Sequence, residues 1–536
     1  MKKLKLVCVA IAMAGAAPTF AGGLLTNTNQ HVAFNRMMSR EASIGIDGVY
    51  YNPAGVVFMG EGHHLAINWQ LAYQTRTINN DYQLFTNNVN NPITPRDFKG
   101  KAFAPVIPSF QYAYNKGKWS FQANFSLTGG GGKCTFDDGL GSFEKIVSET
   151  AIAACGLAGV VDQTLGNKLG QQGMEMFTSD QAFGKTGKYS FNSYMHGRQY
   201  YYGLSVGAAY KFCDNFSAFL GVRGVYALTN YYGYVENINV GNMPLYKVLD
   251  PTKENAANIE LSCDQTGVGF TPIIGVDYKT GRWNFSAKYE FKTRIRLKNK
   301  SVNQTPSIGN LPANLANQMT GILTDKFHNA GLPLEQAKQQ AENTTNAVLN
   351  DPTVGATMMG LKTQFDQKLN KAIGEYEDGK KIAGDIPGYL ALGIGYSPVD
   401  AVRVNVGFHW FDDKNATSYN NRNKELKRGT LEYNAGVEVD VNKKITLSTG
   451  WQNTNYGLSD EYMDDKSFVV GSNSAAIGGV YHINKKMDLN VAYFHTFYQH
   501  KKTSETVQLA ADKSIVYNSD YTRNNNVFAV GLDINF

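Results

Sequence analysis

The chain closes on Asn524-Asn525-Asn526-Val527-Phe528-Ala529-Val530-Gly531-Leu532-Asp533-Ile534-Asn535-Phe536. Phe528, Val530, Leu532, Ile534 and Phe536 fall on one face of a strand, and Ala529, Gly531, Asp533 and Asn535 fall on the other. A strand with so apolar a face, ending on an aromatic ring, needs a hydrophobic partner. Lipid fits, because a closed barrel in a bilayer is apolar outside and polar inside.

The first residues agree with the last. Met1-Lys2-Lys3-Leu4-Lys5 is basic, and Leu6 to Ala17 is uncharged and mostly apolar. Thr19-Phe20-Ala21 then offers a small residue for cleavage, so residues 1–21 read as a secretory signal peptide removed before Gly22. Its loss takes away three lysines and no acids, moving the net charge from +6 to +3. No later run of about 18 apolar residues argues for helical membrane spans. A mean hydropathy of −0.32 suits strands in which every second residue is polar.

Charged residues make up 18% of the chain, below the roughly 25% of soluble domains. Aromatics reach 12%, led by 31 Tyr and 29 Phe, as girdles at two membrane interfaces require. The near-balanced charge leaves no footprint for nucleic acid. No Pro/Ser-rich linker divides the chain, so one large barrel accounts for its length better than several domains.

Alternation recurs throughout. Trp283, Phe285, Ala287, Tyr289, Phe291, Ile295 and Leu297 share one expected face, with Asn284, Ser286, Lys288, Glu290, Lys292, Arg294 and Arg296 on the other. So charged a face is prohibitive in a dry core but suits a wet or ligand-filled lumen. Leu431, Tyr433, Val437, Val439 and Val441 repeat the pattern against Glu432, Asn434, Glu438 and Asp440. Tight turns are expected at Asn115-Lys116-Gly117, Cys213-Asp214-Asn215, Thr280-Gly281-Arg282, Ser397-Pro398-Val399-Asp400, Asn442-Lys443-Lys444 and Asn484-Lys485-Lys486. Six short turns alternating with longer loops give an all-β membrane protein, a 14-stranded antiparallel transmembrane barrel over residues 62–536 with both ends in the periplasm.

Two connections, about 133–190 and about 302–386, lose the two-residue period and read as helical outer loops. In the second, Leu311, Leu315, Met319 and Leu323 recur every four residues, as do Leu361, Phe365, Leu369 and Ile373. Their apolar faces either pack on one another above the barrel or form an outward groove for a greasy ligand.

Residues 22–61 precede the first strand and lack alternation. They contain Ser43-Ile44-Gly45-Ile46-Asp47-Gly48-Val49-Tyr50-Tyr51-Asn52-Pro53-Ala54-Gly55. This stretch resembles the N-terminal hatch of the long-chain fatty-acid outer-membrane transporters (the FadL type), whose Asn-Pro-Ala-Gly turn sits inside the barrel. Asn52, Pro53, Ala54 and Gly55 are that turn here. Gly22-Gly23 and Asn27-Thr28-Asn29-Gln30 look like the family's mature N-terminus. Asp264 to Phe270 is similar to its sixth strand, Tyr289 to Lys300 to its seventh, and Ile386-Pro387-Gly388-Tyr389 to its eighth. The terminal Phe536 resembles the signal read by the barrel-assembly machinery.

The resemblance implies passive uptake of hydrophobic small molecules, most simply long-chain fatty acids, with no cofactor and no enzymatic step. Ligand would rest on the apolar loop helices, then meet basic side chains in the lumen; Arg223, Lys288, Lys292 and Arg294 are the candidate cations. Pairing with Glu290, Glu432 or Glu438 is the competing role for each. Movement of the hatch would then open a gap in the wall near the third strand, where Gly129, Gly130, Gly131 and Gly132 weaken strand pairing. Val225-Tyr226-Ala227-Leu228 resembles a family segment that carries an arginine after Tyr-Ala. Leu228 in its place makes a neutral or aromatic substrate the alternative to a carboxylate. Other expected partners are outer-membrane lipid and lipopolysaccharide.

Other signals carry less. Gly203-Leu204-Ser205-Val206-Gly207 matches a serine-hydrolase pattern, but that chemistry needs a strand-to-helix turn, and here alternation continues. The nine histidines show no metal-ligand spacing, and Asp137-Asp138 and Asp464-Asp465 read as solvated loop tips. Cys134 and Cys155 lie in one expected outer loop and form a disulfide candidate. A general porin for hydrophilic solutes remains the rival channel, and a surface adhesin using the large loops is another.

Overall fold

The computed structural model describes residues 24–171, 173–306, 310–510 and 513–536. The segment expected to be a signal peptide lies outside them, as do the side chains of Phe365, Leu369 and Ile373.

Fourteen antiparallel strands form one closed wall. In chain order they are β1 (Gly62–Tyr82), β2 (Arg96–Lys116), β3 (Trp119–Phe136), β4 (Tyr189–Cys213), β5 (Phe216–Val240), β6 (Ile259–Thr280) and β7 (Trp283–Glu290, resuming as Arg296–Gln304). There follow β8 (Lys381–Ala383, resuming as Tyr389–Val399), β9 (Val402–Phe411), β10 (Thr430–Asn442), β11 (Ile445–Asn455), β12 (Ser472–Asn484), β13 (Met487–Tyr498, resuming as Lys501–Ala510) and β14 (Lys513–Asn535). Each strand pairs with its sequence neighbours, and β14 pairs back onto β1 from His64 opposite Asn535 to Tyr82 opposite Tyr517. Closure leaves no ladder edge, which is what allows strands to cross hydrocarbon.

Every expected tight turn falls in a two-residue hairpin at one end of the barrel. Gly117 and Gly281 adopt φ of 59° and 55° there, the left-handed backbone that matches strand twist in such hairpins. Outward positions are apolar: Trp69, Phe285, Tyr433, Phe528 and Val530 are all exposed. Inward positions on the same strands, such as Asn68, Glu432, Asn434 and Asn525, are buried. An apolar exterior over a polar interior marks a transmembrane barrel of the outer-membrane kind.

The alternation on β7 inverts halfway. Trp283 and Phe285 face out and Lys288 and Glu290 face in, but past Glu290 it is Ile295 and Leu297 that are buried while Arg294 and Arg296 are exposed. The register against β6 shifts by one residue here, from Ile273 opposite Glu290 to Thr266 opposite Lys298. One inserted residue turns every later side chain to the other face. The single lumen face expected from Asn284 to Arg296 therefore ends at Glu290.

At the other end, helices cap the barrel. α3 (Gly141–Leu169) rises from β3, the short α4 (Tyr246–Leu249) follows β5, and α5 (Leu311–Asn329), α6 (Leu334–Leu349) and α7 (Pro352–Ile373) follow β7. By length and composition α3 could cross a membrane, yet half of that apolar stretch is buried, in a core that includes Phe143, Val147, Leu165, Met319 and Val348.

The segment before β1 lies within the barrel. Its helix α1 (Val32–Met37) is buried throughout and packs against the inner faces of β10 to β14. α2 (Gly48–Tyr51) follows, buried likewise. The Met37 carbonyl comes so close to the wall that a Cβ on Gly436 or Gly450 would overlap it. Gly450→Val should therefore expel α1 while leaving the wall intact. The expected readout is higher single-channel conductance in planar bilayers with unchanged heat-dependent gel mobility; unchanged conductance would show that α1 does not depend on that contact.

Candidate functional site

The wall is incomplete between β2 and β3. Gly100–Phe103 pair with Lys133–Phe136, and Phe110–Lys116 pair with Trp119–Phe125, but no pairing joins the residues between. Pro105 and Pro108 have no N–H to offer β3. On β3, Gly130 and Gly131 take φ of 69° and 125°, and the register against β4 shifts between Leu127 and Gly129 and again between Gly130 and Gly132. Ser126 to Gly132 are all buried, so the strand bends out of the wall toward the lumen.

The lumen segment takes up the carbonyls so released. The Asn27 backbone N–H donates to Thr128 (2.9 Å) and its side chain to Leu127 and Gly130 (3.2 and 2.7 Å). The Gln30 amide also donates to Leu127 (2.9 Å), while Ser109 on β2 donates to the Gln30 carbonyl (2.7 Å). A Cβ on Gly129 would sit 2.7 Å from the Leu25 carbonyl. Glycine is thus required by close approach as well as by φ.

An apolar cluster leads from the lumen to this break. Phe34, Met38, Tyr50 and Tyr51 of the segment meet Ala72, Ala104, Ile107, Leu127, Phe494 and Val527 of the wall. Phe34 stacks on Tyr51 at 5.3 Å. Outside the break, Phe103, Val106 and Phe110 are exposed. The turn end of the barrel differs sharply. There a cavity of about 860 Å³ is lined by Arg36, Arg403, Glu438, Asp440, His482, Asp488 and Asp533, among others.

Charged and polar contacts pin the segment. The Asn52 side chain donates to Asp277 (2.5 Å), Gln122 to the Pro53 carbonyl (2.7 Å) and Ser217 to the Ala54 carbonyl (2.7 Å). The Gly55 N–H donates to the Asn52 side-chain oxygen (3.1 Å), closing the turn. Arg36 pairs with Glu438, which Arg403 also holds (2.7 Å), and Arg40 pairs with Asp47 (2.7 Å). His409 bridges Glu41 and Glu432 through its two ring nitrogens, each at 2.8 Å.

Of the candidate lumen cations, two come together. Arg223 clasps Glu290 at 2.7 and 2.8 Å, and Lys288 reaches the same carboxylate (2.9 Å) and the Tyr50 carbonyl (2.6 Å). All three side chains are closed to solvent. Lys288 also lies over the Tyr50 ring, 4.1 Å from its centre. Lys292 is spent on the Asn415 carbonyl (3.0 Å), and Arg294 is exposed on the outside. Leu228 follows the inward Ala227 and points outward, so it lies off the lumen face.

On the outer helices, Leu315, Met319 and Leu323 are buried in the core shared with α3, and Leu311 packs at its edge. Among the described residues they therefore pack into a core rather than line an outward groove. Cys134 lies on β3 rather than in a loop, and both it and Cys155 are free. Cys155 instead donates to the Phe183 carbonyl (3.3 Å), so the expected bridge is absent. Ser205 lies mid-strand on β4 and accepts from Arg223 (3.1 Å), with no helix following. Asp465 is no solvated tip: buried, it accepts from the Ser142 backbone N–H (2.8 Å) at the start of α3. Burial and the neighbouring Asp464 carboxylate push its carboxyl above the usual carboxylate range. Among the described residues no group of His, Cys, Asp and Glu is arranged to hold a metal ion.

No protein-family model matches the chain, and no curated protein matches it in sequence. Solved structures do match in fold. A Pseudomonas aeruginosa FadL homologue is 15% identical, with a TM-score of 0.56 over 98% of this chain and 100% of that one. A deletion mutant of the monoaromatic hydrocarbon channel TodX is 13% identical, with a TM-score of 0.50 over 94% and 99%. The Ralstonia pickettii toluene transporter TbuX is 13% identical, with a TM-score of 0.45 over 92% and 94%. This chain therefore has the fold of the FadL-type outer-membrane channels.

Two measurements check the electrostatics. Glu290→Ala strands two buried cations and should cost about 3–5 kcal/mol in denaturant unfolding, whereas replacing Arg223, Lys288 and Glu290 together by apolar residues should be nearly neutral. In the outer loop after β9, Asp413 is buried, accepts from the Thr430 N–H (2.9 Å) and has its carboxyl pushed up to about 6 from 3.8. Between those values the folded protein holds a proton that the unfolded chain has released, so stability falls as pH rises. Relative to Asp413→Asn, the fall should reach up to ~3 kcal/mol and level off above about pH 6.

Proposed function

We propose that the protein is a passive channel admitting hydrophobic small molecules across the outer membrane and releasing them sideways through the wall. The observation that carries this reading is the continuity of one apolar cluster with the unpaired stretch between β2 and β3. A greasy molecule descending the lumen meets Phe34, Tyr50 and Tyr51, with Leu127 and Ile107 beside the break. Continuing to the turn end would carry it into a cavity rich in charged side chains, at a steep desolvation cost to those groups. The lateral route avoids that cost.

The segment before β1 acts as the gate. Asn27 and Gln30 satisfy the carbonyls of β3 and so hold the bent strand inward. Withdrawal of this segment frees the passage, and the polar pins at Asn52, Arg36 and Glu41 return it.

Neutral and aromatic molecules suit the lumen better than carboxylates. Arg223 and Lys288, which lie over the Tyr50 ring of the aromatic cluster, are already held by Glu290, and Lys288 by the Tyr50 carbonyl as well. A long-chain fatty acid would have to displace those contacts. The fold likeness to a FadL homologue and to a monoaromatic hydrocarbon channel is compatible with either substrate.

Proteoliposomes supply the test. A neutral aromatic hydrocarbon should enter faster than through protein-free vesicles. The entry should fall to the protein-free rate when Gly130 and Gly131 are deleted together with Pro105→Val and Pro108→Thr, changes that let β2 and β3 pair. Fatty-acid entry abolished by Lys288→Met would favour the carboxylate reading. Rapid swelling in sugar would overturn the proposal in favour of a general porin.

A further inference from the structure

The inversion on β7 places cations on the outside of the barrel. With Ile295, Leu297 and Asn299 turned inward, Arg294, Arg296, Lys298 and Lys300 face out. The neighbouring strand β8 adds Lys381, also exposed, directly opposite Lys298 in the ladder. Arg296 is paired with Asp385 (2.8 Å). Among the described residues, no ion pair engages Arg294, Lys298, Lys300 or Lys381. Asp264 stands opposite Lys300 on β6 but accepts from Asn230 (2.8 Å).

Their height on the wall follows from strand geometry. Trp283 stacks on Tyr396 at 4.3 Å at the turn end, marking one membrane interface. An apolar band about 25 Å tall, crossed by strands tilted roughly 35–45°, takes about ten residues. Arg294 is thus the first outward residue beyond the band at the opposite interface. Below it, Val268, Phe270 and Phe291 are exposed and lie where acyl chains run.

Like charges directly opposite in a ladder repel, and here the repulsion is built into a rigid wall. Outward residues two apart on a strand lie about 7 Å from each other, and neighbouring strands about 4.8 Å apart. Such a lattice suits phosphate oxygens, which Arg grips with two bonds and Lys as a point charge. We propose that the outer face of β7 and β8 binds the phosphorylated headgroup of lipopolysaccharide in the outer leaflet, with Arg294, Lys298, Lys300 and Lys381 as its phosphate ligands. Lys298 and Lys381 share one phosphate, which removes their mutual repulsion, and the sugar lies along the exposed Val302.

The test uses the full chain in phosphatidylcholine nanodiscs containing a minor fraction of bisphosphorylated lipid A, read by native mass spectrometry. Wild type should retain lipid A, and the variant Arg294→Gln/Lys298→Gln/Lys300→Gln/Lys381→Gln should retain about tenfold less. A charge-matched control removes four exposed lysines at the turn end, Lys443→Gln/Lys444→Gln/Lys485→Gln/Lys486→Gln, and should retain as much as wild type. Lipid A stripped of its phosphates should be lost from wild type and variant alike. Equal retention by the first variant and wild type overturns the proposal, as does undiminished retention of the dephosphorylated lipid. Heat-dependent gel mobility confirms that both variants are folded.

Discussion

In hydrocarbon a peptide group has no water to turn to, so every N–H and C=O in the wall must find a partner within the protein. Along most of the seams between neighbouring strands the ladder itself meets this demand. Between β2 and β3 the demand is met differently: Asn27 and Gln30 reach from the lumen to the carbonyls of Leu127, Thr128 and Gly130. The interior segment is thereby part of the wall's hydrogen bonding. Displacing it leaves a bent strand with unmet acceptors, which couples what happens inside the barrel to what happens at its side.

The two kinds of contact made by that segment divide the work. Its ionic and amide contacts, from Arg36, Arg40, Glu41 and Asn52, are directional and fix where it sits. Its aromatic rings, from Phe34, Tyr50 and Tyr51, make non-directional contacts facing the path, while the two tyrosine hydroxyls donate to the Asn27 and Thr28 carbonyls (3.1 and 2.7 Å). Apolar burial tolerates the exchange of one greasy partner for another, whereas a buried charge cannot lose its partner cheaply. A hydrophobic guest can therefore replace ring contacts at Phe34 and Tyr51 more cheaply than at Tyr50, whose ring and carbonyl are engaged by Lys288.

Much of this was legible in the sequence. Period-2 alternation placed Tyr433 outside and Glu432 inside, and the turn residues located the six tight hairpins at one end of the barrel, because both signals are local. The Asn52 to Gly55 turn was visible as a motif. What was missed depended on neighbours. A one-residue bulge near Thr293 is silent in composition, yet it moved Arg294 from the lumen to the outside. Pairing with Glu290 was one of the expected roles for Arg223; which acid it meets, across β6, is set by the register of three strands. Cys134 was assigned to a loop because β3 runs on past its glycines. Pro105 and Pro108 were the readable signal for the break in the wall, since two prolines inside one strand cannot both be ordinary ladder residues. The glycines opposite them on β3 carry the same signal more weakly, since glycine keeps its N–H.

The seam joining β14 to β1 has a consequence for biogenesis. Residues 24–61 are attached to the leading edge of that seam and enclosed behind it, with α1 wedged against Gly436 and Gly450. Once His64 has met Asn535 the circle is shut, with a helix-capped mouth at one end and a charged floor at the other. The segment must accordingly be tucked in while the sheet is still open. Sealing the cylinder is then the last act of assembly, and it traps its own stopper.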